Sequence, residues 1–499
     1  MKFKKTVLNL LSTIASQFLT LAIAFLLPRL YIVNYGSEVN GLLSSVSQLF
    51  AYFALLEAGV GIATQQALYK YVSSLDSKRI NEILSATNHY YSRIGFYYLL
   101  LVTGVAFVYP FIVPTGLNQW LVTGTIILIG SGSVINFWFQ GKYRIYLTAE
   151  GKGYINDNVS MIALTVSNII KIVLLLKGYN IIVIQAGYVL VSLGQAIFYT
   201  LLIKKKYPWI DLSVKPDFES ISQRKAVLVH QVTSLVFNNT DMLLLTFACR
   251  DLRIVSVYSI YGLIYNNIDN ITATINAAYK PLLGQLYFED RTRFLKTFEI
   301  SETFYMAFSY AIYFVAFLLT PWFVNLYTKN ADISYADYWI PILFVAMKLL
   351  GQMRRPLLSV IDIAGDFKNT QGRTIAEMGI NIALSIALVW RFQIYGVLIG
   401  TIVAMLYRNT DVLLYVPKHL IDHNAIQTLK RWLIYLALFV LGCYAWRYVP
   451  QPIDSVFWFI VYGVILTILS LALFLGIAAI TNRVESKNLI LMIKQHIRK

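Results

Sequence analysis

Eight charged side chains lie within or beside long apolar runs of this 499-residue chain, and these are the residues best placed to do chemistry: the cations Arg29, Arg144, Lys280, Lys348 and Arg354, and the acids Glu57, Asp241 and Asp269. An arginine presents a planar fork of donors that matches a phosphate or carboxylate, and a lysine presents a compact point charge. A charged group at mid-membrane costs roughly 2.5–3.5 kcal/mol on insertion scales, so each is a functional candidate by default. Arg29 follows Pro28, which permits a bend; its side chain either binds an anion or snorkels to outer headgroups. Lys348 lies near the middle of its run, too deep to snorkel easily. Arg354, Lys280 and Arg144, with Arg355, stand at cytoplasmic run ends, where ordinary anchoring explains them as well as anion binding does. The three acids either neutralise such cations or carry protons or sodium in coupled transport. His230 could titrate near neutral pH or be structural. The amides Asn238-Asn239 and Asn266-Asn267 could bond a hydroxyl-rich ligand or simply join helices.

The elements that must position these residues follow from composition. Hydrophobic residues make up 58% of the chain and charged residues 13%, where a soluble domain averages about 45–50% and 25%. A helix crossing hydrocarbon needs roughly 20 mainly apolar residues. About fourteen such stretches are present, near 6–33, 41–69, 90–113, 119–141, 156–177, 181–203, 226–248, 254–283, 301–327, 338–360, 373–391, 394–416, 431–449 and 455–481. The expected fold is an all-α polytopic membrane protein with no sizeable soluble domain. Net charge is +17, yet the basic residues fall between apolar runs rather than along one stripe, which argues against a nucleic-acid partner. With the N-terminus cytoplasmic, 29 of the 42 Lys and Arg residues fall in cytoplasmic segments and six in outer loops. Seven more, among them Lys171, lie within or at the ends of spans. The positive-inside rule then puts both termini in the cytoplasm. The start MKFKK resembles a signal peptide, but its apolar run continues to Val33 and is too long for one. Cys249 and Cys443 are assigned no role.

An internal repeat organises the spans. Residues 168–181 and 381–394 align without gaps, each opening on Asn-Ile and closing on an amide side chain followed by Ile. Their spans are the fifth and eleventh, so the copies run in the same direction, as parallel repeats about an axis along the membrane normal. An N-lobe at 1–203 (spans 1–6), a cytoplasmic linker at 204–225, a C-lobe at 226–416 (spans 7–12) and a final section at 417–499 with spans 13–14 and a cytoplasmic tail are expected. The linker, Lys204-Lys-Lys-Tyr-Pro-Trp-Ile-Asp-Leu-Ser-Val-Lys-Pro, reads as a polar, proline-broken connector between rocking lobes.

Three segments carry a family resemblance. The first is Pro28-Arg29-Leu through Tyr35-Gly36-Ser-Glu-Val-Asn40-Gly41-Leu, then Leu56-Glu57-Ala-Gly59-Val-Gly61 and Ala67-Leu-Tyr-Lys70. The second is Asn239-Thr-Asp241 with Tyr258-Ser-Ile-Tyr261 and Pro281-Leu-Leu-Gly284. The third is Arg355-Pro356 through Ala364-Gly-Asp-Phe-Lys368 and Gly396-Val-Leu-Ile-Gly400. In order and spacing these resemble the bacterial lipid-linked oligosaccharide flippases, the O-antigen, capsule and teichoic-type exporters, over roughly residues 5–415. The chain departs from the pattern at Cys249-Arg-Asp-Leu-Arg253 and at Arg391-Phe-Gln393, where the family tends to carry glycine.

The resemblance implies two six-helix lobes in parallel repeat plus two C-terminal helices, in the superfamily of multidrug antiporters and the lipid II flippase. It implies a flippase that carries polyprenyl-diphosphate-linked oligosaccharide repeat units across a bacterial plasma (inner) membrane by alternating access, for surface polysaccharide such as lipopolysaccharide or capsule. No cofactor, metal or catalytic residue is expected. H+ or Na+ coupling and association with polysaccharide polymerase and assembly proteins are further implications. A cation-coupled multidrug antiporter is the alternative within the superfamily. A polytopic polymerase or ligase is a third reading, disfavoured by outer loops of roughly 4–13 residues that leave little room for catalytic side chains. There is no GxxxxGK[ST] loop for ATP.

Overall fold

The computed structural model describes residues 23, 25–57, 60–74, 76–221, 240–447 and 455–489, whose regular structure is helical with no strand among them. In chain order they form α1 (25–35), α2 (Ser37–Phe53), α3 (Val60–Ser73), α4 (Ser77–Ile112), α5 (Gln119–Ala149), α6 (Gly153–Leu176), α7 (Ile181–Lys206), α8 (Thr240–Cys249), α9 (Leu252–Glu289), α10 (Arg291–Tyr327), α11 (Trp339–Ala364), α12 (Phe367–Val416), α13 (Ala425–Trp446) and α14 (Val456–Thr481). Nine helices among the described residues are long and apolar enough to cross a membrane. Their unburied faces carry side chains such as Leu190, Ile197, Leu469 and Ile480. The chain is a multi-pass membrane protein.

Local chemistry sets the helix starts. Asp76, Asn118, Asn180, Asp290 and Asn424 each accept a hydrogen bond from a backbone N–H in the first turn of α4, α5, α7, α10 and α13, which satisfies donors that helix geometry leaves unpaired.

Two compact units are formed, Met1–Ser256 with Ala331–Ile333, and Val257–Asn330 with Ser334–Lys499; the division falls inside α9. In the first unit, Leu42, Val46, Phe50, Tyr98 and Tyr109 pack α2 against α4. In the second, α10 is the central element. Its Tyr310 and Phe314 meet Phe439 of α13 and Phe474 of α14 at ring centroid distances of 5.5–6.5 Å.

Two features differ from a chain of plain spans. The expected span at 41–69 is interrupted: α2 ends at Phe53, one 3-10 turn follows to Leu56, and helix resumes at Val60. The sequence between carries Glu57, Gly59 and, just inside α3, Gly61, which weaken a continuous helix. The described part of the expected linker docks on the helix beside it. Tyr207 and Ile221 are buried, Asn81 donates to the Trp209 carbonyl at 3.0 Å, and Ser85 lies within hydrogen-bond reach of the Leu212 and Val214 carbonyls at 3.0 and 2.7 Å. The apolar residues Tyr207, Trp209, Ile210 and Leu212 supply the driving force. Beside them, the Glu150 carboxylate and the Tyr207 hydroxyl hold the Lys152 ammonium well above the ordinary lysine range.

The aligned repeat recurs in how the hairpins close. Carried forward without a gap, the alignment sets Gly187 of α7 opposite Gly400 of α12. A side-chain carbon at Gly187 would lie 2.8 Å from Ile170 Cγ2, and one at Gly400 would lie 2.8 Å from the Ser385 backbone nitrogen. Each glycine lets the second helix of its hairpin approach the first. The α12 hairpin turns at Gln393, whose φ of 49° and ψ of −122° fall outside helical values.

Candidate functional site

On α9, Asn266 and Asp269 are three residues apart; on α11, Lys348, Gln352 and Arg355 follow at four and three. Both spacings keep a set on one helix face, and the two faces meet. Lys348 Nζ donates to Asn266 Oδ1 at 2.7 Å. Asp269 Oδ1 accepts from Arg355 Nη2 at 2.9 Å and Gln352 Nε2 at 2.8 Å. Tyr313 of α10 reaches the same carboxylate at 3.4 Å, and Tyr305 donates to Gln352 Oε1. Arg355 also donates to Thr272 Oγ1 at 3.2 Å. Gln352, Tyr305 and Tyr313 were not singled out by the sequence. The signal was present in the periodicity of Lys348, Gln352 and Arg355.

Arg354, one residue away, turns to a different neighbour. It is buried and ion-paired with Glu377 of α12, which also lies 3.8 Å from Arg408; Arg408 bonds Asp411 at 2.5 Å, and Asp411 pairs with Arg373. This chain of alternating charges ties the α12 hairpin to α11. Lys280 pairs with Asp362 at 2.6 Å, between α9 and α11.

In the first unit, Arg29 is half-buried on α1. Glu57 lies at the break after α2 and accepts a hydrogen bond from the Tyr91 hydroxyl of α4. Asp241 is 8% exposed on α8. Its neighbour Thr240 bonds Tyr52 at 2.7 Å. Arg144 lies in the last turns of α5, donates to Ser160 Oγ at 3.4 Å and lines a cavity of about 340 Å³. His230, Asn238 and Asn239 lie outside the described residues.

No family model matches the chain, and no curated protein does. Solved structures do. The lipid II flippase MurJ in an inward closed conformation aligns with a TM-score of 0.67 at 15% identity, over 93% of this chain and 98% of that one. An inward-facing multidrug resistance MATE family transporter of the MOP superfamily aligns with a TM-score of 0.64 at 15% identity, over 84% and 96%. A MOP superfamily transporter from Pyrococcus furiosus, described as having a binding pocket of reversed polarity, aligns at 0.51 and 15% identity, over 80% and 92%. The chain has the fold of these transporters along nearly its full length.

Proposed function

We propose that this protein is a flippase. It moves polyprenyl-diphosphate-linked oligosaccharide repeat units from the cytoplasmic to the outer leaflet of a bacterial plasma membrane, for surface polysaccharide assembly. In this reading the lobes at 1–203 and 226–416 alternate access, and both termini are cytoplasmic. The placement of Lys348 carries the reading: a half-exposed ammonium midway along α11, held by the amide oxygen of Asn266, is suited to a diphosphate and ill suited to an organic cation. Arg29, proline-preceded and half-buried, is proposed as a second anion contact. Lys280 and Arg354, each ion-paired, are proposed to set the helix positions that present Lys348.

A second reading, a cation-coupled multidrug antiporter, draws on Glu57 and Asp241, acids within the first unit. The two readings separate on cargo. A strain lacking this protein should accumulate lipid-linked oligosaccharide on the cytoplasmic leaflet and lose surface polysaccharide. An unchanged surface with a gain in drug sensitivity would favour the antiporter.

A further inference from the structure

The cavity at Arg144 lies wholly within the first unit, among three helices whose apolar character makes its lining unusual. On α6, beyond the first turns, every polar side chain except Thr165 falls on the stripe Ser160, Ser167, Asn168 and Lys171, and that stripe faces the cavity. On α5, Asn136 and Gln140 bound a π-helical turn, and Arg144 continues the face. Extra-residue turns of this type recur at functional sites. On α7, Ser192 and Gln195 complete the wall. Three apolar helices have turned their polar residues toward one space, which hydrocarbon burial penalises unless that space holds a polar occupant.

The lining selects the occupant. It holds two cations and, among the described residues, no carboxylate. Arg144 and Lys171 enter no ion pair among the described residues; Arg144 bonds a serine hydroxyl, and Lys171 lies 4.9 Å from the Tyr188 ring. Ser167 Oγ, on a residue 5% exposed, and Asn136 Oδ1 are buried without a hydrogen-bond partner among the described residues. Buried polar atoms are rarely left so. From Ser160, which Arg144 contacts, to Lys171 is roughly 16 Å of helix. The space is thus elongated, cationic toward both ends and lined by neutral amides and hydroxyls between. Its volume lies within the range of small-ligand sites.

We propose that this cavity binds an anionic saccharide, a sugar bearing a phosphate ester or a carboxylate. Lys171 at one end holds the charge, Arg144 at the other end donates to sugar oxygens, and Asn136, Ser167 and Gln195 bond the ring hydroxyls between. The ligand class follows from the lining; that the ligand is cargo rests on the flippase reading.

The test uses the full chain in phosphatidylcholine nanodiscs with glucose 1-phosphate as probe, followed by saturation-transfer NMR. Glucose 1-phosphate should bind at least tenfold more tightly than glucose or inorganic phosphate. Lys171→Gln and Arg144→Gln should each weaken it tenfold or more, and Lys171→Arg should recover most of the loss, with ligand-free melting temperatures unchanged. Gln195→Leu, which leaves both cations in place, should weaken sugar phosphate and leave inorganic phosphate unaffected. Equal binding of glucose or of inorganic phosphate overturns the proposal, as does indifference to Lys171→Gln. Loss of probe binding on adding phosphatidylglycerol would assign the cavity to ordinary lipid headgroups and overturn it too. Surface polysaccharide is scored separately. Binding without any export defect in the null strain keeps the site and removes the flippase reading; an export defect without binding does the reverse.

Discussion

Arg355 Nη2 lies 2.9 Å from Asp269 Oδ1, joining α11 to α9 through an ion pair about a quarter exposed on each side. Gln352 donates to the same carboxylate oxygen, so the acid is fixed by two side chains of one helix. Removing a single partner strands a half-buried charge, whereas removing both does not. Asp269→Asn should therefore lower stability by about 2 kcal/mol, and Asp269→Asn with Arg355→Gln should recover much of that loss. Denaturant unfolding of the four proteins in a double-mutant cycle measures the coupling. Additive losses would mean that the pair contributes no specific interaction.

Gln393 occupies a backbone conformation, φ 49° and ψ −122°, that a glycine adopts at little cost and a β-carbon resists. Gln393→Gly should raise the stability of the α12 hairpin by about 1 kcal/mol. The melting temperature of the purified protein in detergent should rise; a fall would mean that the glutamine side chain makes a compensating contact.

The spans were legible because twenty apolar residues in hydrocarbon leave little besides helix. At the two turns where the resembled family tends to carry glycine, Arg250 and Gln393 adopt positive φ, so the glycine-type backbone is kept without the glycine. What composition could not supply was facing. Arg354 and Arg355 are chemically identical and adjacent, yet a turn of about 100° per residue sends one to Glu377 and the other to Asp269. The polar stripe of α6 was readable by period. Its meaning needed α5 and α7 beside it, and Lys171, counted among the intramembrane cations, was not chosen as a site. The linker read as a polar connector between lobes, and Tyr207, Trp209, Ile210 and Leu212, the apolar residues that dock its described part, were not singled out.

Glu57 accepts a hydrogen bond from Tyr91. A glutamine amide oxygen can accept the same bond without titrating. If Glu57 couples an ion gradient, Glu57→Gln should preserve folding and cargo movement down a cargo gradient while abolishing the response to an imposed proton or sodium gradient. Vesicle transport with and without the gradient reads the difference. An undiminished response would assign Glu57 to structure.

The docking of residues 207–221 predicts resistance of the preceding Lys204–Lys206 bonds to trypsin. Trp209→Ala, which removes rings that pack on Tyr146 and Tyr207 at 6.0 and 6.4 Å, should speed cleavage several-fold. The pH dependence has a definite sign. Lys152 has its pKa raised in the fold, first by its hydrogen bond to Glu150 and then by that to Tyr207. Its contribution is fully present below the unfolded lysine value of about 10.4 and is lost only as pH rises through the higher folded value. Cleavage relative to a denatured control should thus stay flat from about pH 7.5 to 9.5; loosening within that window would exclude the Lys152 tie.

Lys348 is where the central claim is most exposed. Purified protein in vesicles, given a fluorescent polyprenyl-diphosphate-linked oligosaccharide on one leaflet, should move it to the other. Lys348→Gln should slow that movement tenfold or more, Lys348→Arg should keep most of it, and both should insert and fold as the native chain does. Native-rate flipping by Lys348→Gln, or vesicles in which the native protein moves organic cations and leaves the lipid-linked oligosaccharide in place, would contradict the account.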